Sequence, residues 1–176
     1  MQFGIEIEDH EVNHALKGLE HRVIDLHLAM AAIGLYYERS VLENFQNESA
    51  PDGTPWAKLS ATTLQLGLGR NKGFGKKGGL TARGKRYLQG KRILRESGDL
   101  EAAVHSQAGL ASVTIGVGGH IPYAAIHQFG GQAGRGRKVT IPARPYLGLN
   151  AGEGMTLAGK DKQRVQEIVE QFVLGQ

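Results

Sequence analysis

The chain has 176 residues, no cysteine and a formal net charge of +4. A domain of this length hides roughly 70% of its unfolded surface, so neither a metal nor a disulfide is needed to hold it together. The absence of cysteine excludes disulfides, thiolate metal sites and a cysteine nucleophile, and it fits synthesis in a reducing cytoplasm.

The N-terminal residues MQFGIEIEDHEV lack the basic, apolar and small-residue succession of a secretory leader, so none is expected. Phe3, Ile5 and Ile7 alternate with polar residues and predict a short strand. Asp9 then offers a helix cap, with Glu11 in the first turn. From Val12 an apolar stripe runs through Leu16, Leu19, Val23, Leu26, Met30, Ile33 and Tyr37, and Val41 and Phe45 extend it. That spacing is an amphipathic helix close to a heptad seam. A helix of about 36 residues would measure roughly 54 Å, against a domain diameter near 40 Å. The helix therefore breaks, at Gly18 or Gly34, or part of it projects onto another subunit. The most apolar stretch, Leu26 to Leu35, is far shorter than the ~20 residues of a membrane span, so a soluble protein with no membrane partner is expected.

Pro51-Asp52-Gly53 is a turn signal. The single tryptophan, Trp56, follows, and Ser60 can cap a short helix through Leu66. Next comes GLGRNKGFGKKGGLTARGKRYLQGKR, dense in glycine and cations and poor in hydrophobic periodicity. It predicts a long mobile basic arm at about 69–92. Ser97-Gly98-Asp99 is a turn, with Asp99 a cap for a helix through Val104. Val113, Ile115 and Val117 alternate as a strand, Tyr123 to Phe129 reads as a short helix stopped by Gly130-Gly131, and Val139 and Ile141 mark another strand. Residues 160–174 carry Val165, Ile168, Val169, Phe172 and Val173 on one side of a final helix. The sum is one α+β domain over 1–176: a long N-terminal helix and a C-terminal helix packed on a small, mostly antiparallel sheet, with a long basic Gly-rich loop.

Charge is segregated along the chain. Residues 1–52 hold ten acids and three bases, a balance of −7, whereas residues 53–95 hold eleven Lys or Arg and no acid. A smaller basic cluster is Arg135, Arg137, Lys138 and Arg144. Such asymmetry points to an anionic partner. Arg70, Lys72, Lys76, Lys77, Arg83, Lys85 and Arg86 are the candidates for contact with nucleic-acid phosphates or an acidic protein surface, unless the arm is only a solvated loop. Phe74 and Tyr87 lie among them, but two aromatics make no stacking platform, and no base-reading motif is present. Any DNA contact should be non-specific and salt-sensitive.

Catalytic patterns are thin. His10, Glu11 and His14 fit H-E-x-x-H by letters, yet the match falls in the first helical turn and lacks an obvious third ligand. A solvated helix start is the better reading; a zinc protease would require stoichiometric zinc and fail on Glu11→Gln. His21 lies on the same first helix; His105, His120 and His127 stand apart from any nucleophile arrangement, and Ser97 in ESGDL is no nucleophile elbow. The glycine-rich run holds no phosphate-loop spacing. No enzyme activity, metal or cofactor is expected.

Four segments in order carry a resemblance: PDGTPWAKLSATTL at 51–64, ILRESGDLEAAV at 93–104, YAAIHQFGG at 123–131 and IPARPYLGLN at 141–150. Together they resemble the phage virion morphogenesis, or tail completion, family of Mu-like and related phages. The resemblance implies a virion protein that assembles with itself as a ring, a hexamer, at the head-proximal end of the tail or in the neck. It also implies neighbours in the tail tube and in the head-completion or connector proteins, and genome DNA in the lumen. On that basis Trp56 is a core anchor, the segment holding Tyr123, His127, Phe129 and Gly130 is a packed helix-turn, and Arg144-Pro145-Tyr146 is a fixed turn. The basic segment is longer and more basic than the family pattern implies. The alternative function is a non-specific DNA-binding module acting through the basic arm.

Overall fold

The structure is a computed structural model that describes residues 10–152 and 154–175. The strand expected at Phe3–Ile7 and the Asp9 cap lie outside the described residues, as do the side chains of His10 and Glu11.

The N-terminal stripe forms two helices, α1 (His10–Ile24) and α2 (His27–Asn47). The break falls at Asp25 and Leu26, and not at Gly18 or Gly34 as expected. The Asp25 carboxylate accepts from the His27 backbone N–H at 2.9 Å, and Leu26 N–H donates to the Leu110 carbonyl at 3.1 Å. A short polar side chain bonding its own backbone competes with the helix, which is why the chain parts there. Gly34 instead lies buried inside α2, where an added Cβ would sit 2.6 Å from Ser106 Oγ. A mid-helix glycine costs about 1 kcal/mol; here it admits a strand against the helix.

That strand is β1 (Val104–Ala108), paired antiparallel with β2 (Val113–Val117) in the register Val104↔Val117. The hairpin packs on α2, and the C-terminal helix α7 (Gly159–Leu174) packs beside it. Val165, Ile168, Val169 and Phe172 of α7 cover Ala29, Met30 and Ile33 of α2. At the other end of α2, Tyr37, Val41 and Phe45 enter the main core with Trp56, Ile93, Leu100, Ile121 and Tyr146. The remaining elements are α5 (Asp99–Ala102), α6 (Ala124–Phe129), and the antiparallel pairs β3 (Gly131–Ala133) with β4 (Val139–Ile141) and β5 (Leu149–Ala151) with β6 (Gly154–Thr156). The α+β architecture holds, but its strands form three separate two-stranded ladders among the described residues rather than one small sheet. The helix expected from Asp99 to Val104 stops at Ala102, because Val104 is drawn into pairing with Val117.

The long basic loop is the main correction. Residues 61–70 form α3 (Ala61–Arg70) and residues 82–90 form α4 (Ala82–Gly90), so the segment is taken into a helical hairpin whose turn is residues 71–81. Ser60 Oγ accepts from Thr63 N–H at 3.1 Å, and Thr81 Oγ1 from Gly84 N–H at 3.0 Å, capping each helix. The glycines taken as loop signals let the two helices touch. A Cβ at Gly67 would meet the Tyr87 hydroxyl, and one at Gly84 would meet the Gly73 carbonyl. Between the helices, Phe74 and Leu80 make an isolated antiparallel bridge at the tip.

Candidate functional site

The segments that carried the resemblance converge on one buried joint. Trp56 is buried; its ring stands edge-on to Phe45 at 5.6 Å, and its Nε1–H donates to the Pro145 carbonyl at 2.8 Å. Phe45 also contacts the Tyr146 ring at 5.3 Å. Arg144 is buried beside them and has no carboxylate in salt-bridge reach among the described residues. Its Nε–H donates to the Ala57 carbonyl at 2.8 Å, and its backbone N–H to the His127 carbonyl at 2.7 Å. Burial lowers its pKa from the ordinary guanidinium value. Arg144 therefore ties two distant segments by their backbones, residues 57–58 through its guanidinium and His127 through its own N–H.

Gln128 is the hub, and the sequence reading missed it. Only 1% exposed, its Oε1 accepts from the backbone N–H groups of Tyr146 and Leu147, each at 3.0 Å. Its Nε2 donates to the Gly148 carbonyl and to Asn150 Oδ1, both at 2.8 Å. One amide side chain thus satisfies four partners of the IPARPYLGLN segment and its neighbour strand. Nothing in the sequence marks a glutamine as buried; its position against the turn at 145–148 becomes visible only in three dimensions. Gly130, at φ +75°, follows α6 with its Cα so near Ala143 that a Cβ would lie 2.9 Å from the Ala143 nitrogen.

The structure therefore brings Trp56, His127, Gly130, Arg144, Pro145 and Tyr146 together. Tyr123 is partly exposed and meets His127 edge-on at 5.8 Å, while Phe129 is exposed outside the joint. His127 Nδ1 is buried without a hydrogen-bond partner. Desolvation, reinforced by the Arg144 charge, lowers its pKa below the ordinary 6.5, which leaves the ring neutral at pH 7.

The hairpin forms a second, separate site. Arg70, Lys72, Lys76, Lys77, Arg83, Lys85 and Arg86 are all exposed on it, and none is in an ion pair among the described residues. Phe74 and Leu80 are exposed at the tip between the cations. With no acid between residues 53 and 95, this surface is a concentrated positive field that a negative partner would relieve.

Between the foot of the hairpin and β4 lies a cleft of about 530 Å³. Leu59, Leu94, Leu100 and Ile141 contribute its apolar lining, and Lys58, Arg92 and Arg144 its positive charge. Among the described residues no group of three His, Asp or Glu side chains can hold a metal, and no helix is long and apolar enough to cross a membrane.

The phage virion morphogenesis family matches the chain over residues 7–173. A curated relative, Mu-like prophage FluMu G protein 2 of Haemophilus influenzae (strain ATCC 51907 / DSM 11121 / KW20 / Rd), is 81% identical over 31 residues. That match spans 18% of this chain and 22% of the relative. No solved structure matches. The family match takes in the buried joint, the cleft and the basic hairpin alike; the chain belongs to the phage virion morphogenesis family.

Proposed function

We propose that this morphogenesis protein is a non-enzymatic structural component that completes the tail of a phage particle, joins it to the head, or both, as a ring at the neck. The observation that carries the reading is the family match across 7–173, a span that takes in the buried joint. Its main polar side chains bond within it: indole to carbonyl, guanidinium to carbonyl, amide to backbone. Such a joint fixes surfaces and offers no nucleophile paired with a base. The acidic first 52 residues and the basic hairpin suit head-to-tail contacts between copies, which close into rings when the rotation allows. In a hexameric ring the neighbours would be tail-tube and head-completion or connector proteins, and hairpins turned to the lumen would surround genome DNA.

The test is location. Gold-labelled antibody on purified particles is expected at the head–tail junction; particles that lack the protein, or carry it elsewhere, would contradict the reading.

The seven exposed cations, in no ion pair among the described residues, also favour a second reading, a non-specific DNA-binding module. It requires the isolated protein to bind duplexes of unrelated sequence equally, with affinity falling steeply as salt rises. Binding insensitive to salt, or none at low salt, would remove it.

A further inference from the structure

The cleft beside β4 has the features of a strand-binding groove. Its wall is β4 itself, through Val139, Thr140 and Ile141, and no residue of β3 lines it. Among the described residues β4 pairs only with β3, so its second edge has no strand beside it. An unpaired edge over an apolar floor recruits an extended segment by backbone hydrogen bonds, with alternate side chains filling the groove. The rim selects for charge. Lys58 and Arg92 are exposed there, and the acid at the rim, Glu96, is already paired with Lys91.

The matching segment is in this chain. Positions 3–8 read Phe-Gly-Ile-Glu-Ile-Glu, apolar at every second residue, acidic at positions 6 and 8, with Asp9 and Glu11 following. We propose that the cleft receives Phe3–Glu8 of a second copy of the chain, added as a strand along the unpaired edge of β4. Phe3, Ile5 and Ile7 face the apolar floor, and Glu6 and Glu8 meet the cations of the rim. A second copy is the occupant because α1 sits at the other end of α2 from the cleft. It packs on α7, which covers Ala29, Met30 and Ile33, whereas the cleft lies near the far end of α2, where Trp56 and Tyr146 close over Phe45. The proposal rests on the reading that copies of the protein associate, and it names the contact that joins them.

The absence of native cysteine makes the contact measurable in the full-length protein. Ile5→Cys and Val139→Cys are placed in separate, differently tagged proteins, mixed and oxidised. Mixed disulfide dimers are expected, forming much faster than between Ile5→Cys and a control at exposed Leu110→Cys. Equal rates, or a disulfide that forms only within one chain when both cysteines are on it, would overturn the proposal. In a second arm, Lys58→Glu with Arg92→Glu lowers the cross-linking rate roughly tenfold, and Glu6→Lys with Glu8→Lys restores it. Unchanged cross-linking after charge reversal would also overturn it. Junction labelling that persists while the mixed disulfide fails to form would reject this contact and leave the neck assignment standing.

Discussion

The Trp56 indole N–H donates to the Pro145 carbonyl oxygen at 2.8 Å across 89 residues of sequence. This bond ties the segment after α2 to the turn before β5, and Arg144 ties the same two regions again through Ala57. Trp56→Phe keeps an aromatic ring against Phe45 but leaves the carbonyl without its donor. The expected loss is about 1–3 kcal/mol of unfolding free energy, whereas Trp56→Ala, which also empties the site, is expected to cost about 3–5 kcal/mol. Denaturant unfolding followed by far-ultraviolet circular dichroism checks both. A Trp56→Phe loss near zero would mean that the hydrogen bond contributes nothing.

Gln128→Leu should be among the most damaging substitutions of its size. It strands the Tyr146 and Leu147 N–H groups and the Gly148 carbonyl in a buried place. Each unsatisfied group costs about 1–3 kcal/mol, so the variant should unfold or lose several kcal/mol in the same assay. Gln128→Glu keeps the acceptor for both N–H groups and should be better tolerated at low pH, where its carboxyl can still donate.

In the hairpin, Gly67→Ala drives a methyl into the Tyr87 hydroxyl, and Tyr87→Ala should relieve the clash. The two changes are therefore non-additive, with a coupling of about 0.5–3 kcal/mol. Amide hydrogen exchange in α3 and α4 reports it: faster in Gly67→Ala, and returned toward the Tyr87→Ala value in the double variant. Additive effects would mean that the helices do not pack as described.

Stability should fall on both sides of neutrality for identifiable reasons. Tyr36 is raised to about 12, first by burial and then by its hydrogen bond to Asp161, and Tyr146 is raised to about 12 by burial. A raised folded-state pKa gives stability that is complete below the ordinary value of 10.0 and is lost as pH climbs toward 12. His127 runs the other way: its lowered pKa gives stability present above 6.5 that is lost as pH falls below it. Melting temperature against pH should therefore decline above about 10 and below about 6.5. Tyr36→Phe should make the alkaline limb shallower, with Tyr37 and Tyr146 keeping the rest of it, and His127→Gln should make the acid limb shallower, each leaving the other limb unchanged.

Much of this architecture was legible because apolar spacing survives folding. The stripe from Met30 to Phe45 is the buried face of α2, Val113-Ile115-Val117 is β2, Ser60 caps α3, and the Val165–Phe172 face of α7 packs as its pattern required. What escaped the sequence was glycine and short range. Gly67, Gly73 and Gly84 have the composition of a loop, yet they mark a close helix crossing, which no single-chain pattern distinguishes from a flexible arm. Strands of three residues, such as β3, β5 and β6, are too short to display a period of two. The joint was only half legible: Trp56, Arg144 and Tyr146 were singled out through a family resemblance, but Gln128, which bonds to four partners at its centre, has no sequence signature at all.

The most direct test of the account is to delete the gene from a phage or inducible prophage that encodes it and to view the lysate by negative-stain electron microscopy. The account predicts filled heads and tails that are unjoined or of irregular length, with joined infectious particles restored when the wild-type gene is supplied in trans. Normal numbers of complete, infectious particles from the deletion would contradict it.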